Sequence, residues 1–146
     1  MPACTFFGHR DLNVDIRPLL LKELSFLIES CGVTDFYVGN SGKFDFVVQG
    51  VLRELSAKTP SLQYNIVLGY LPRKDDCRDF SNTIYPEGIE SVPRRFALLF
   101  RNKWMVLHSD FAVCYITHSF GGAFQAVEYA KKQGLEIINL AEKLND

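Results

Sequence analysis

No run of apolar residues in this chain approaches the ~20 that a membrane-spanning helix needs, which removes that class of protein at the outset. Neither sign of charge is in excess: 16 Lys and Arg stand against 17 Asp and Glu, a formal net charge of -1. A global basic field announcing nucleic acid is therefore missing. Arg94, Arg95, Arg101 and Lys103 still form a local basic cluster. Cysteine is sparse, and Cys4, Cys31, Cys77 and Cys114 form no CxxC pair and show no zinc-ligand spacing to a histidine, so no metal is expected. Cys4 and Cys114 lie inside apolar runs and read as small buried hydrophobes. Unpaired thiols and no signal peptide point to a reducing cytoplasm. No repeat, low-complexity tract or linker divides the chain, so residues 1–146 are expected to form one domain. Apolar residues make up 47%, too many for a disordered chain.

What is present is an alternation of short apolar runs and helical patterns. Residues 3–7 read as a strand ending at Gly8, and 16–30 as a helix with Leu20, Leu24, Leu27 and Ile28 inward. Asp15 is placed to cap that helix and Gly32 to stop it. Residues 36–38 read as a second strand, and 44–57 as a helix burying Phe46, Val47, Leu52 and Leu55. A third strand is expected over 64–70 and an irregular excursion over 71–93. A helix over 94–109 should turn Phe96, Leu99, Phe100, Trp104 and Leu107 inward. A fourth strand over 110–117, a helix over 123–133 and a fifth strand over 135–140 complete the chain. Strands separated by helices imply a parallel sheet with crossover connections. The expectation is an α/β, Rossmann-like, doubly wound sheet of about five strands in the order 3-2-1-4-5.

In such sheets ligands bind beyond the carboxyl ends of the strands, where the strand order reverses. Three turns rich in glycine and polar residues fall at predicted strand ends: Gly8-His9-Arg10-Asp11, Gly39-Asn40-Ser41-Gly42 and His118-Ser119-Phe120-Gly121-Gly122. Glycine there lets a phosphate approach the backbone, and the helix that follows offers unpaired N–H groups. Glycines also simply make tight turns. Arg10 can meet a phosphate or carboxylate with a bidentate charge. His9 and His118 can face one cavity around an anion, or fasten loops through hydrogen bonds. The ligand-binding candidates are therefore Gly8, His9, Arg10, Gly39, Asn40, Gly42, His118, Ser119, Gly121 and Gly122. Asp45 can cap its helix, contact a sugar hydroxyl or serve as an acid or base. Glu87 and Glu90, in the irregular excursion, are a carboxylate pair of the kind that acts at glycosidic bonds, or a solvated loop. Trp104 belongs to the core or, with Phe100, to a two-fold contact between copies.

Several blocks carry a family resemblance that covers nearly the whole chain. They are residues 5–10 (Thr5 to Arg10), 38–45 (Val38 to Asp45), 83–90 (Thr83 to Glu90), 101–105 (Arg101 to Met105) and Gly121-Gly122-Ala123. Together they resemble small bacterial and phage proteins of the SLOG superfamily. The resemblance implies a Rossmann-like fold with a site for nucleotides or their derivatives. LOG members cleave the base from nucleoside monophosphates and carry a proline-glycine-glycine turn followed by glycine-threonine and a glutamate. The matching stretch here, residues 118–125, keeps Gly121-Gly122 but lacks the proline and the glycine-threonine, and Glu128 does not have the signature's spacing.

Three functions stay open on the sequence. The first is a binding domain for a nucleotide-derived ligand, an NAD- or ADP-ribose-like molecule or phosphorylated sugar, acting as a sensor. The second is a nucleosidase or phosphoribohydrolase using Asp45, Glu87 or Glu90. The third is an interaction module for protein or single-stranded DNA, built on Arg94 and Arg101. No cofactor and no membrane partner is implied. Nucleic acid is disfavoured by the net charge, and a homo-oligomer is the expected assembly.

Overall fold

A computed structural model describes residues 2–70 and 82–144. The chain runs β1 (Ala3–Gly8), α1 (Arg17–Cys31), β2 (Asp35–Val38), α2 (Lys43–Lys58), β3 (Gln63–Val67), β4 (Thr83–Ile84), α3 (Ala97–Leu107), β5 (Phe111–Tyr115), α4 (Gly122–Lys132), β6 (Glu136–Asn139) and α5 (Leu140–Lys143). All strand pairings are parallel, in the order β4-β3-β2-β1-β5-β6. The expected order 3-2-1-4-5 survives as the inner part of this sheet. The correction is a sixth strand: Thr83–Ile84, inside the stretch read as irregular, adds to the free edge of β3. Two residues are too short to leave a periodic signal. The run Arg73-Lys74-Asp75-Asp76 and Cys77 lie outside the described residues.

Period-two alternation along the strands sorts side chains onto two faces. Cys4 and Phe6, Phe36 and Val38, and Val113 join Leu20, Leu24 and Leu27 of α1 and Val48, Val51 and Leu52 of α2. Phe7, Val67, Ala112 and Cys114 face the other way, onto Met105 and Val106 of α3 and Ala126, Val127 and Ala130 of α4. The sheet is thus covered on both sides, and its central strand, β1, is buried from Ala3 to Phe7. Burial drives the Cys114 thiol up to about 12 and the Cys4 thiol higher, so both stay protonated core hydrophobes.

Gly32 stops α1 as expected, whereas Asp15 falls one residue before the cap position, which Ile16 fills without a side-chain bond. Gly32 ends α1 in the left-handed conformation at φ 69°. The Asp15 carboxylate accepts from the Arg17 N–H at 3.1 Å at the start of the helix. In α2 Val47, Leu52 and Leu55 pack inward as expected and one residue departs from the pattern, whereas α3 as a whole sits in a different phase. In α2 Phe46 is 56% exposed, whereas Phe44 is fully buried over Gly8. In α3 Phe96, Leu99 and Leu107 are exposed and Ala97, Arg101, Met105 and Val106 are buried. That helix carries apolar residues nearly all round, so hydrophobicity alone names no single inward face. Trp104 is half-buried, set edge-on to Tyr37 with centroids 5.3 Å apart. It contributes to the core.

The exit of β5 is fastened by one side chain. Asn139 Oδ1 accepts from the N–H groups of Ile116 and Ala141, each at 3.1 Å, and its Nδ2 donates to the Ile116 carbonyl at 3.1 Å. It clamps the start of the loop from β5 to α4. Asn139→Ala leaves both polar groups of Ile116 without this partner and is expected to cost about 2–3 kcal/mol in chemical denaturation. Unchanged stability would mean that water replaces the clamp.

Candidate functional site

Because β1 lies between β2 and β5, strand order reverses at its carboxyl end. Gly8 of β1 pairs with Tyr115 of β5, so the segments leaving those strands start side by side. Between them opens a cavity of about 340 Å³. It is lined by Phe6, Phe7, Gly8, His9, Arg10 and Asp11 from the first turn, and by His118, Phe120, Gly121, Gly122 and Ala123 from the second. Ser41, Asp45, Leu98, Arg101 and Asn102 complete the wall. The two turns far apart in the chain therefore meet at one rim.

The glycines divide into those that serve packing and those that face space. A Cβ on Gly8 would stand 2.2 Å from the Phe44 ring, so this glycine admits a core side chain. A Cβ on Gly42 would meet the Arg10 backbone at 2.7 Å, where the Lys43 N–H donates to the Arg10 carbonyl at 3.1 Å. The loop leading into α2 is further held by Asp45, which accepts from the Ser41 N–H at 3.0 Å and the Ser41 hydroxyl at 3.2 Å. Gly121 and Gly122 differ: nothing lies within 4 Å of a Cβ at either. Gly121 has φ 95° and ψ 171°, a backbone state essentially confined to glycine. No side chain caps the N-terminus of α4. Gly121, Gly122 and Ala123 at its start line the cavity, and the helix dipole adds positive potential there.

Arg101 is the residue that sequence reasoning left out of the site. It is 4% exposed and lines the cavity from α3. Its Nε and Nη2 donate to the Asn102 side-chain oxygen at 3.2 and 2.9 Å, and Nη2 donates to the Ser41 hydroxyl at 3.3 Å. Its Nη1 is buried with no hydrogen-bond partner among the described residues. Gly39 makes room for it, since a Cβ there would lie 2.8 Å from Nη1 and 2.9 Å from Asp45 Oδ2. Burial lowers the pKa of Arg101, partly offset by the negative charge of Asp45. Asp45, 7% exposed, is shifted the opposite way: burial raises its pKa, and Ser41 and Arg101 only partly restore the carboxylate. The sequence held one signal for Arg101, its i, i+4 spacing to Ala97 and Met105, which competing aromatic residues obscured.

The histidines form part of a stack. His9 and His118 lie ring on ring with centroids 3.7 Å apart, and Phe120 continues the stack 3.9 Å beyond His118. His9 Nε2 accepts from the Thr117 N–H at 3.0 Å, which ties the exit of β1 to that of β5. His118 Nδ1 donates to the Phe120 carbonyl at 3.1 Å.

Of the expected site residues, Gly8, His9, Arg10, Asp45, His118, Gly121 and Gly122 line this cavity. Gly39, Asn40, Gly42 and Ser119 do not, although Gly39 and Gly42 shape its floor through close approach. Glu87 and Glu90 are exposed and outside the lining. Arg94 and Arg95 are exposed while Arg101 is buried, so the basic cluster is not one surface. A scan of known protein families and a search of curated proteins return no match to this chain.

Burial and the positive field of His118 lower the pKa of His9 from its ordinary 6.5. The neutral ring is also the form whose Nε2 can accept from Thr117. Its stabilising contribution is therefore present above pH 6.5 and is lost as the pH falls through the lower folded value. Melting temperature is expected to drop on acidification below about 6.5, and His9→Gln, which keeps an acceptor, should flatten that slope. An identical slope in the variant would assign the effect to other groups.

Proposed function

We propose that this domain binds a phosphate-bearing nucleotide derivative at the carboxyl edge of the sheet. The single observation that carries the reading is Arg101: a buried guanidinium with one nitrogen unpartnered among the described residues, on the wall of a cavity that also receives the uncapped start of α4. Keeping a charge out of water is costly unless an opposite charge meets it. Asp45 compensates incompletely, since burial still opposes charge on both groups. A phosphate supplies the missing anion, with helix N–H groups on one side and arginine on another. Arg10, exposed at the rim, adds a second cation and a means of capture. The site's position where strand order reverses and the SLOG resemblance support the same reading.

The test is calorimetric titration with AMP, nicotinamide mononucleotide, ADP-ribose, ribose 5-phosphate and inorganic phosphate. Affinity for a phosphate-bearing probe is expected, and Arg101→Met should weaken it about tenfold or more. The same substitution leaves the buried Asp45 carboxyl without its cation and should lower the melting temperature at neutral pH, whereas Asp45→Asn combined with Arg101→Met should recover part of that loss. No binding across the panel, or binding indifferent to Arg101→Met, contradicts the proposal.

One observation favours a second reading, hydrolysis of an N-glycosidic bond. Asp45 lines the cavity with its pKa raised by burial, as suits a carboxyl that donates a proton to a departing base while water adds to the sugar carbon. Glu87 and Glu90, outside the lining, have no part in this version. The reading predicts release of free base from a nucleotide, abolished by Asp45→Asn. Because the folded pKa is raised, the ionised carboxylate costs stability as pH rises through that value, so Asp45→Asn should also raise the melting temperature at neutral pH. Absence of base release from every nucleotide in the panel removes hydrolysis and leaves binding.

A further inference from the structure

We infer that the outer face of Phe120 is the seat of the ligand's base, so that the site selects a nucleotide over a bare sugar phosphate. The assignment rests on the anion site proposed above and deepens it.

Phe120 is 67% exposed although it is a large apolar ring, and it lines the cavity. It is the terminal member of a stack in which His9 and His118 lie 17° apart and His118 and Phe120 lie 18° apart. Each inner ring is held at its edge: His9 by the Thr117 N–H and His118 by the Phe120 carbonyl. Tyr115 stands edge-on to His9, with centroids 6.5 Å apart. The last ring is therefore supported from behind on one face and carries its exposure on the other. A supported aromatic ring loses little freedom when a planar group settles on it.

Position joins the two halves of the ligand. Phe120 immediately precedes Gly121, the glycine that opens α4, so a stacked base and a phosphate at the helix start sit at neighbouring residues with the sugar between them. Stacking asks only for a π-face, so purine, pyrimidine and nicotinamide rings all qualify. The gain over a base-free ligand should be about five- to hundredfold in affinity.

The test compares ribose 5-phosphate with AMP and nicotinamide mononucleotide on the intact chain, its Phe120→Ala variant and its Phe120→Trp variant. At least one nucleotide should bind about fivefold or more tightly than ribose 5-phosphate. Phe120→Ala should erase that advantage while leaving ribose 5-phosphate affinity unchanged, with at most a small drop in melting temperature from the lost stack on His118. Phe120→Trp should restore the advantage, and that nucleotide should quench the indole fluorescence. Equal affinity for nucleotides and ribose 5-phosphate overturns the base seat but leaves the anion site standing, as does equal weakening of both by Phe120→Ala. Failure of every probe to bind removes the anion site and this assignment with it.

Discussion

A guanidinium held out of water on the inner face of α3 constrains everything built around it. Arg101 can be there only because Gly39 has no side chain, because Ser41 and Asn102 take up part of its donor set, and because Asp45 lies within electrostatic reach. Each of these groups comes from a segment at or near a strand's carboxyl end, and each loses conformational freedom to the arrangement. A chain selected for stability alone would place an apolar residue at this position. The buried charge is the observation on which the proposed anion site rests.

The same tension explains Asp45 and His9. Both are buried polar groups at the reversal point of the sheet, and in both burial disfavours the charged form. The carboxyl accepts from the Ser41 N–H and hydroxyl and so fixes the loop that leads into α2. The imidazole joins β1 to β5 through Thr117 and begins the ring stack along the cavity. Among the described residues neither α2 nor α4 has a side-chain cap at its N-terminus; they differ in that Gly42 before α2 is packed against Arg10, whereas Gly121 and Gly122 have open space beside them. The cavity thus has buried Arg101 on one wall, the start of α4 on another and exposed Arg10 at its rim.

The α/β alternation was legible because most of the strands and helices are distinct apolar runs, several of them closed by glycine, as at Gly8, Gly32, Gly39 and Gly134. From that alternation followed the parallel sheet and the place where its order reverses. The meeting of Gly8-His9-Arg10 with Gly121-Gly122 is a consequence of that order, and so could be read before any coordinates. The phase of α3 could not, because Leu99, Phe100 and Leu107 compete with Met105 and Val106 for the inward face and win on hydrophobicity alone. Arg101 was misassigned with them. The purpose of Gly8 was equally hidden: a glycine that admits Phe44 and one that admits a phosphate look the same in sequence. β4, at two residues, carried no pattern at all.

The most direct measurement is a proton–nitrogen correlation experiment on isotope-labelled protein titrated with AMP. If an anion closes the gap between Arg101 and α4, saturable shifts will concentrate in the amides of Gly121 to Phe124 and in the side-chain Nε–H of Arg101. Shifts centred on Arg94 and Arg95, or spread over the surface lysines without saturation, would contradict the account.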